Sequence, residues 1–171
     1  MKVAVAYYSR TGNTEAVVRL LCDALRSCRA EVEAFRIKAS REYSPPLHFN
    51  PRLVIDTLIR RGTDVSLEPE NLDPSRYDVV VIASPIWIGT LSSPVQQFLK
   101  SYARGLKNYV VLTTSALRAS RDTISKKKAE KIAQAKPLSC FNVTVSEIKD
   151  EARLKELIQK MASKIRELSR L

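Results

Sequence analysis

The sequence is poor in the residues on which metal sites and nucleophilic catalysis depend. Its 171 residues include one histidine and three cysteines. Cys22, Cys28 and Cys140 do not have the spacing of metal ligands, and their odd count favours reduced thiols over a disulfide framework. A catalytic thiol needs a base beside it, yet the only histidine, His48, lies in a different segment. These shortages argue against a metal centre and against a cysteine nucleophile.

Long apolar runs are also missing from the sequence. No stretch is long and apolar enough to cross a bilayer. The first residues lack a secretory pattern, because Lys2 precedes a short β-like run and Arg10 follows soon after. An apolar content of 44% is ordinary for a globular protein, and 171 residues suit one domain with a sizeable core. We therefore expect a single domain over residues 1–171, without membrane insertion, in the cytoplasm.

Acidic residues are too few to balance the basic ones. The chain has 29 Lys and Arg against 18 Asp and Glu, which gives a net charge of +11. Within residues 104–136, nine basic residues stand against two acidic ones, a local charge of +7. Such a surface favours anionic partners, although a solvated helix face is the alternative interpretation. An aromatic content of 6% and the lack of a nucleic-acid motif argue against base stacking.

Strand-like and helix-like segments alternate along the chain. Strands are predicted at residues 3–8, 31–38, 77–84, 109–114 and 138–145. Helices are predicted from 13 or 14 to 28, and at 50–62, 94–104, 122–135 and 150–168. Residues 63–76 are predicted to form a polar loop. Five strands alternating with five helices, without repeats or a linker, predict an α/β fold with a doubly wound parallel sheet.

Three loops of this sheet are predicted to meet at one edge. In doubly wound sheets, ligands bind at the carboxyl ends of the strands, where the winding reverses. The strands expected at the centre end in Ser9-Arg-Thr-Gly-Asn-Thr14, Ala83-Ser-Pro-Ile-Trp-Ile-Gly-Thr90 and Thr113-Thr-Ser-Ala-Leu-Arg118. We therefore expect the ligand site at this edge.

The first of these loops has the composition of an anion site. It supplies three hydroxyls, one amide and several backbone N–H groups at a helix start that Asn13 or Thr14 is expected to cap. Gly12 is its only glycine and no Gly-Lys-Ser/Thr follows, so the loop is neither a dinucleotide fingerprint nor a Walker loop. Such a donor set suits a terminal monoester phosphate. An ordinary polar turn with a helix cap is the alternative.

Two of the loops resemble those of the flavodoxin-like FMN proteins. Tyr8-Ser-Arg-Thr-Gly-Asn-Thr-Glu15 is similar to that family's phosphate loop, Ser/Thr-x-Thr-Gly-Asn-Thr, and Ala83-Ser-Pro-Ile-Trp-Ile-Gly-Thr90 is similar to its second flavin loop. The segment Leu91-Ser-Ser-Pro-Val-Gln-Gln-Phe-Leu99 also matches. The resemblance covers essentially the whole chain. It implies a flavodoxin-like, five-stranded sheet of order 2-1-3-4-5 and FMN as the cofactor.

The resemblance also implies a role for each loop. The first would hold the FMN phosphate and contributes Ser9, Arg10, Thr11, Gly12, Asn13 and Thr14. The second would flank the isoalloxazine ring and contributes Ser84, Pro85, Ile86, Trp87, Ile88 and Gly89. The third would form the remaining wall with Thr114, Ser115 and Ala116. Trp87, the only tryptophan, is expected on a loop, where it stacks on the flavin or else packs into the core.

The chain departs from that family in charge and in the third loop. Short-chain flavodoxins are usually acidic, whereas this chain is basic. The third loop lacks the aromatic residue that commonly stacks on the outer ring face, and we expect Tyr43, His48 or Phe49 to cover that face unless their segment is a surface loop. Arg118 would raise the reduction potential by stabilising the negative charge of the reduced flavin, unless it is a solvated arginine.

Two classes of function follow from the sequence. The first is an FMN redox protein, either an electron carrier or a small NAD(P)H-dependent FMN or quinone reductase. Electron transfer is favoured because no second glycine fingerprint and no insert for a quinone pocket are visible, and an acidic redox partner would suit the basic segment. The second is a cofactor-free module that binds nucleic acid or protein. A phosphorelay role would need acids at strand ends, whereas Asp78 lies at a strand start.

Overall fold

The structure is a computed structural model that describes residues 1–40, 64–102, 105–116 and 121–169, with side chains from residue 126 onward in the last range. Its strands are β1 (Lys2–Tyr7), β2 (Glu31–Ala39), β3 (Val65–Glu68), β4 (Val79–Trp87), β5 (Thr90–Leu91), β6 (Tyr109–Ser115) and β7 (Ser139–Thr144). Its helices are α1 (Asn13–Ser27), α2 (Ser93–Tyr102), α3 (Arg121–Ala133), α4 (Val145–Lys149) and α5 (Glu151–Leu168). A 3₁₀ turn covers Pro74–Arg76.

The strands form one sheet in the order β3-β2-β1-β4-β6-β7, with β5 paired to β4. The five strands β2, β1, β4, β6 and β7 run parallel to one another. Their order is the predicted 2-1-3-4-5, so the flavodoxin-like, doubly wound sheet is confirmed. Two short strands extend it, because β3 adds to the edge of β2 and β5 folds back on β4, both antiparallel.

Helices cover both faces of the sheet and explain its apolar central strands. Residues 3–6 of β1, residues 79–84 of β4 and the whole of β6 are buried, as expected for parallel strands packed on both sides. The core layer under α1 and α5 is built on Leu21, Leu25 and Ile165. The layer under α2 and α3 is built on Phe98 and Leu99. Among the described helices, none combines the length and apolar character that crossing a bilayer requires.

Four local features of the fold differ from the prediction. β3 lies in the segment predicted as a polar loop, because its apolar residues, Val65 and Leu67, are too few to produce a visible alternation. The helix α4 and the two-residue strand β5 were not predicted either. The N-cap of α1 is Gly12, with a φ of 85° and no side-chain cap, rather than Asn13 or Thr14.

Several predictions fall on parts of the chain outside the described residues. The helix expected at 50–62 and the residues Tyr43, His48 and Phe49 lie there. So does Arg118. The other predicted helices are present, with ends shifted by one or two residues: α2, α3 and α5 span Ser93–Tyr102, Arg121–Ala133 and Glu151–Leu168.

Candidate functional site

A cavity of about 150 Å³ lies at the carboxyl ends of β1, β4 and β6. Its lining comes from all three predicted loops: Arg10, Thr11, Asn13 and Thr14; Pro85, Ile86 and Trp87; and Thr114, Ser115 and Ala116. The structure therefore brings the three loops together at one site. Val145, the first residue of α4, completes the lining. Sequence reasoning missed it because α4 follows β7 without a loop that would have marked a turn.

The first loop carries two polar atoms that are buried and have no hydrogen-bond partner among the described residues, namely the Ser9 hydroxyl and Nη1 of Arg10. Ser9 is only 6% exposed. A buried polar atom without a partner costs about 1–3 kcal/mol, so native proteins rarely retain one without a reason. An anion bound at this turn would give both donors an acceptor.

Gly12 sets the direction in which the chain leaves β1. Its φ of 85° places it in the left-handed region, which side chains other than glycine seldom adopt. A Cβ at this position would meet no atom within 4 Å, so the backbone conformation, rather than lack of space, requires glycine. The turn allows α1 to begin at Asn13, with its free N–H groups at the edge that carries the cavity.

A hydrogen bond between two threonine side chains joins the first loop to the third. The Oγ1 atoms of Thr14 and Thr114 are 2.7 Å apart and buried, and either can donate to the other. Only one hydroxyl proton is used in this bond, so the second remains available to a ligand. The bond ties the first turn of α1 to the end of β6.

Buried hydrogen bonds also hold the third loop and the start of α4 in place. The Asn142 side-chain oxygen accepts hydrogen bonds from the hydroxyls of Thr113 and Ser115, each at 3.0 Å. Thr144 caps α4 in a reciprocal arrangement with Glu147, whose carboxylate accepts from the Thr144 N–H at 2.9 Å. This cap holds Val145 at the cavity wall.

Trp87 belongs to the core and to the cavity at the same time. It is 8% exposed and makes an edge-to-face contact with Tyr8, with ring centroids 5.5 Å apart and an interplanar angle of 88°. The prediction that it lies on a loop was wrong, because it is the last residue of β4 and pairs with Thr90 of β5. Since Trp87 also lines the cavity, the packing that buries it also fixes the position of this wall.

The second loop narrows to the two-residue turn Ile88-Gly89 between β4 and β5. Both residues have positive φ, 49° for Ile88 and 77° for Gly89. Positive φ suits glycine but is rare for a β-branched residue. Ile88 is also 49% exposed. Both residues were predicted to contact the ring, and the structure places them at the tip of the hairpin, outside the lining of the cavity.

Like Ser9 and Gly12, Ser84 is a predicted site residue that lies outside the lining of the cavity. It is fully buried, and its hydroxyl donates to the Pro85 carbonyl at 2.9 Å and accepts from the Ser92 N–H at 3.0 Å. The bond to Ser92 joins β4 to the start of α2, so Ser84 holds the two ends of the second loop together.

The described part of the cavity lining carries one charged residue, Arg10. The nearest acid along α1, Glu15, is paired with Arg19 at 3.8 Å and with Arg36 at 3.7 Å. Burial, with the negative charge of Glu15 as a smaller cause, raises the pKa of Tyr7, so this phenol stays neutral at physiological pH. The electrostatics of the site therefore favour an anion.

Solved structures similar to this chain are flavoproteins. A flavoprotein from Lactobacillus acidophilus NCFM, in complex with FMN, superposes with a TM-score of 0.71 at 18% identity, over 88% of this chain and 98% of that one. Two-electron reduced Megasphaera elsdenii flavodoxin gives 0.60 at 20% identity, over 94% and 98%. A Streptococcus pneumonia TIGR4 flavodoxin gives 0.55 at 16% identity, over 96% and 99%.

These similarities rest on structure alone, since no protein-family model and no curated protein matches the sequence. They cover nearly the whole length of each chain. The protein therefore has the flavodoxin-like fold. Two of the three loops that line its cavity are the loops on which the sequence resembles that family.

Proposed function

We propose that this chain binds FMN at the cavity and acts as an electron-transfer flavoprotein. The observation that carries the proposal is the pair of buried donors, Ser9 Oγ and Arg10 Nη1, that lack a partner among the described residues at the N-terminus of α1. They lie at the same sheet edge as the wall formed by Trp87. An anion site beside an aromatic wall suits a molecule with a phosphate at one end and a flat ring at the other.

The phosphate would be held by the first loop. Ser9, Arg10, Thr11 and Thr14 offer side-chain donors there, and α1 adds backbone N–H groups. Hydrogen bonds to a charged group contribute roughly 1.5–3 kcal/mol each, so four or five of them outweigh the entropy lost on association. Arg10 adds a full positive charge to the partial charge of the helix terminus.

The ring would lie between the second and third loops. Pro85, Ile86 and Trp87 supply apolar surface, and Thr114 to Ala116 supply the opposite wall. The cavity of about 150 Å³ is smaller than the roughly 300–1,000 Å³ of pockets that enclose a whole ligand, so part of the ring would remain at the mouth. FMN supplies the redox chemistry when bound, while the protein holds it and limits access to it.

A ring that stays partly exposed supports electron transfer to an external partner. The alternative within the same class is an NAD(P)H-dependent FMN or quinone reductase, which would have to bind a second substrate against the ring. The three cysteines are all free thiols, which suits a reducing compartment such as the cytoplasm.

The experiment that tests this function begins with the spectrum of the purified protein. We expect flavin absorption bands, and release by acid of a flavin that is FMN. After removal of the flavin, added FMN should bind again with quenched fluorescence, more weakly in Ser9→Ala. The matched control is Ser27→Ala, which removes an exposed hydroxyl from the other end of α1. A colourless protein that does not take up FMN would reject the proposal, and NADPH oxidation with a quinone would favour the reductase.

A further inference from the structure

The two helical faces of the molecule differ in how their basic residues are paired. On the face formed by α1 and α5, most basic side chains have an acidic partner: Arg19–Glu15, Arg26–Asp23, Arg153–Glu156, Lys155–Glu151, Lys160–Glu156 and Lys164–Glu167. These pairs are three or four residues apart along their helices, the spacing at which opposite charges stabilise a helix. This face is therefore close to neutral.

Helix α3, on the opposite face, carries basic side chains without such partners. Lys126, Lys127, Lys131 and Lys136, on α3 and just beyond it, form no ion pair with any described residue; we call them the α3 lysines. Lys127, Lys131 and Lys136 are exposed, and Lys126 is half-buried. Among the described side chains of α3, only Glu130 is acidic.

The arrangement of the α3 lysines works against the stability of the helix. Lys127 and Lys131 are four residues apart, so their charges lie close together on the same side and repel each other. Among its described side chains, the helix packs on the core through Ala129, Ile132 and Ala133. An anionic surface placed against α3 would convert this repulsion into attraction.

The chemistry of α3 favours a protein as that anionic surface. Insertion into a lipid surface needs exposed apolar side chains, and the large exposed ones in the described part of the chain, Leu20 and Ile88, lie outside α3. Stacking of nucleic-acid bases needs aromatic side chains, and α3 has none in its sequence. Lysines on flexible stems suit the carboxylates of an acidic protein.

We propose that the α3 lysines form a docking surface for an acidic protein partner. Helix α3 begins at Arg121, five residues after Ala116, which lines the cavity. The start of α3 is therefore its end nearer to the cavity, whereas Lys136 lies toward the opposite edge of the sheet, where Tyr109, the first residue of β6, donates a hydrogen bond to the Ala135 carbonyl. That this partner exchanges electrons with a bound flavin rests on the proposed function; the docking itself does not.

The experiment measures binding of poly-L-glutamate, an acidic polypeptide, to the whole chain without added flavin. The test variant is Lys126→Gln/Lys127→Gln/Lys131→Gln, and the matched control is Lys155→Gln/Lys160→Gln/Lys164→Gln on α5. Both remove three positive charges, and glutamine keeps a helix propensity close to that of lysine. We expect the α3 variant to bind about 3- to 100-fold more weakly, as for three exposed charge pairs, and the α5 variant to stay within about twofold of wild type.

An equal loss of affinity in the two variants would overturn the proposal, because binding would then depend on net charge and not on the position of the lysines. Tighter binding of single-stranded DNA than of poly-L-glutamate of equal charge would also overturn it and favour nucleic acid. Tighter binding of vesicles rich in anionic lipid would favour a membrane surface instead. Lys131→Gln alone, compared with Lys160→Gln, repeats the test with the smallest change to the helix, and circular dichroism checks the folding of every variant.

Discussion

Single side chains decide what the cavity can bind. Ser9 and Arg10 each hold a buried donor atom that lacks a partner within the described structure, and the Thr14–Thr114 pair keeps one hydroxyl proton for a ligand. In the folded protein without an anion these donors lower stability, because their hydration is lost and not replaced. A ligand that accepts hydrogen bonds from these donors would offset this cost.

Arg10 should make the site depend on the phosphate of its ligand. We expect Arg10→Ala to weaken FMN binding by about 10- to 100-fold, the loss of one hydrogen bond to a charged group. Riboflavin, which lacks the phosphate, should bind both forms equally. Fluorescence titration measures both affinities, with Arg19→Ala, which removes an exposed arginine of α1, as the control. An equal loss for riboflavin and FMN would place Arg10 against the ring instead.

Cys22 should make stability depend on pH in the alkaline range. Burial raises the pKa of its thiol to about 11, whereas in the unfolded chain it titrates near 9. Below pH 9 the thiol is protonated in both the folded and the unfolded state, so Cys22 does not yet lower the free energy of unfolding. Between pH 9 and 11 only the unfolded state loses the proton, so the free energy of unfolding should fall by up to about 1.4 kcal/mol per pH unit.

Urea unfolding of wild type and Cys22→Ala from pH 8 to 11 isolates this contribution. Above pH 9 the free energy of unfolding should fall faster with pH in wild type than in Cys22→Ala. A constant difference over the whole range would mean that Cys22 is solvated in the folded protein.

At the scale of helices and strands, long apolar segments were predictable and short or backbone-driven features were not. The uninterrupted apolar runs of β1, β4 and β6 indicated buried parallel strands, and the structure has them. β3 has four residues, and its pairing with β2 is set by the sheet edge rather than by its own pattern. The cap at Gly12 was missed because polar residues beside it offered a side-chain cap, whereas the turn requires a left-handed residue.

The site shows the same division. Motif and topology together indicated which three loops meet. They did not indicate that Ser84 faces the β4–α2 junction, because the predicted strand ended at Ser84, whereas β4 continues to Trp87. Val145 could not be found either, because its position depends on the Thr144–Glu147 cap that starts α4.

The turn Ile88-Gly89 should gain stability when its strained residue is replaced. A left-handed conformation costs about 1–2 kcal/mol for an ordinary side chain, and asparagine tolerates it better. We expect Ile88→Asn to raise the free energy of unfolding by about 1 kcal/mol in the flavin-free protein. Chemical denaturation measures it, and Leu20→Asn, an exposed apolar residue in the regular helix α1, should instead destabilise. Equal destabilisation by both substitutions would contradict the positive φ at Ile88.

At the scale of the whole molecule, the net charge of +11 should govern how the flavin-loaded protein meets small redox reagents. We expect ferricyanide, a trianion, to oxidise the reduced protein quickly. The rate should fall as salt is added, because salt screens the attraction between the trianion and the basic protein. The rate of oxidation by hexaammineruthenium(III), a trication, should instead rise with salt, because salt screens its repulsion from the protein. Stopped-flow traces at several ionic strengths measure both trends. Identical salt dependence for the two reagents would show that the basic charge does not act at the cavity mouth.

The central claim is that the three loops at the carboxyl edge of the sheet hold FMN. Titration of the ¹⁵N-labelled, flavin-free protein with FMN, followed by amide NMR, tests it most directly. The account predicts large, saturable shifts confined to residues 9–14, 86–89, 114–116 and 145, with the amides of Cys28, Arg29 and Asp78 at the opposite edge unchanged. Saturation without shifts in the first loop, or no shifts at all at millimolar FMN, would contradict it.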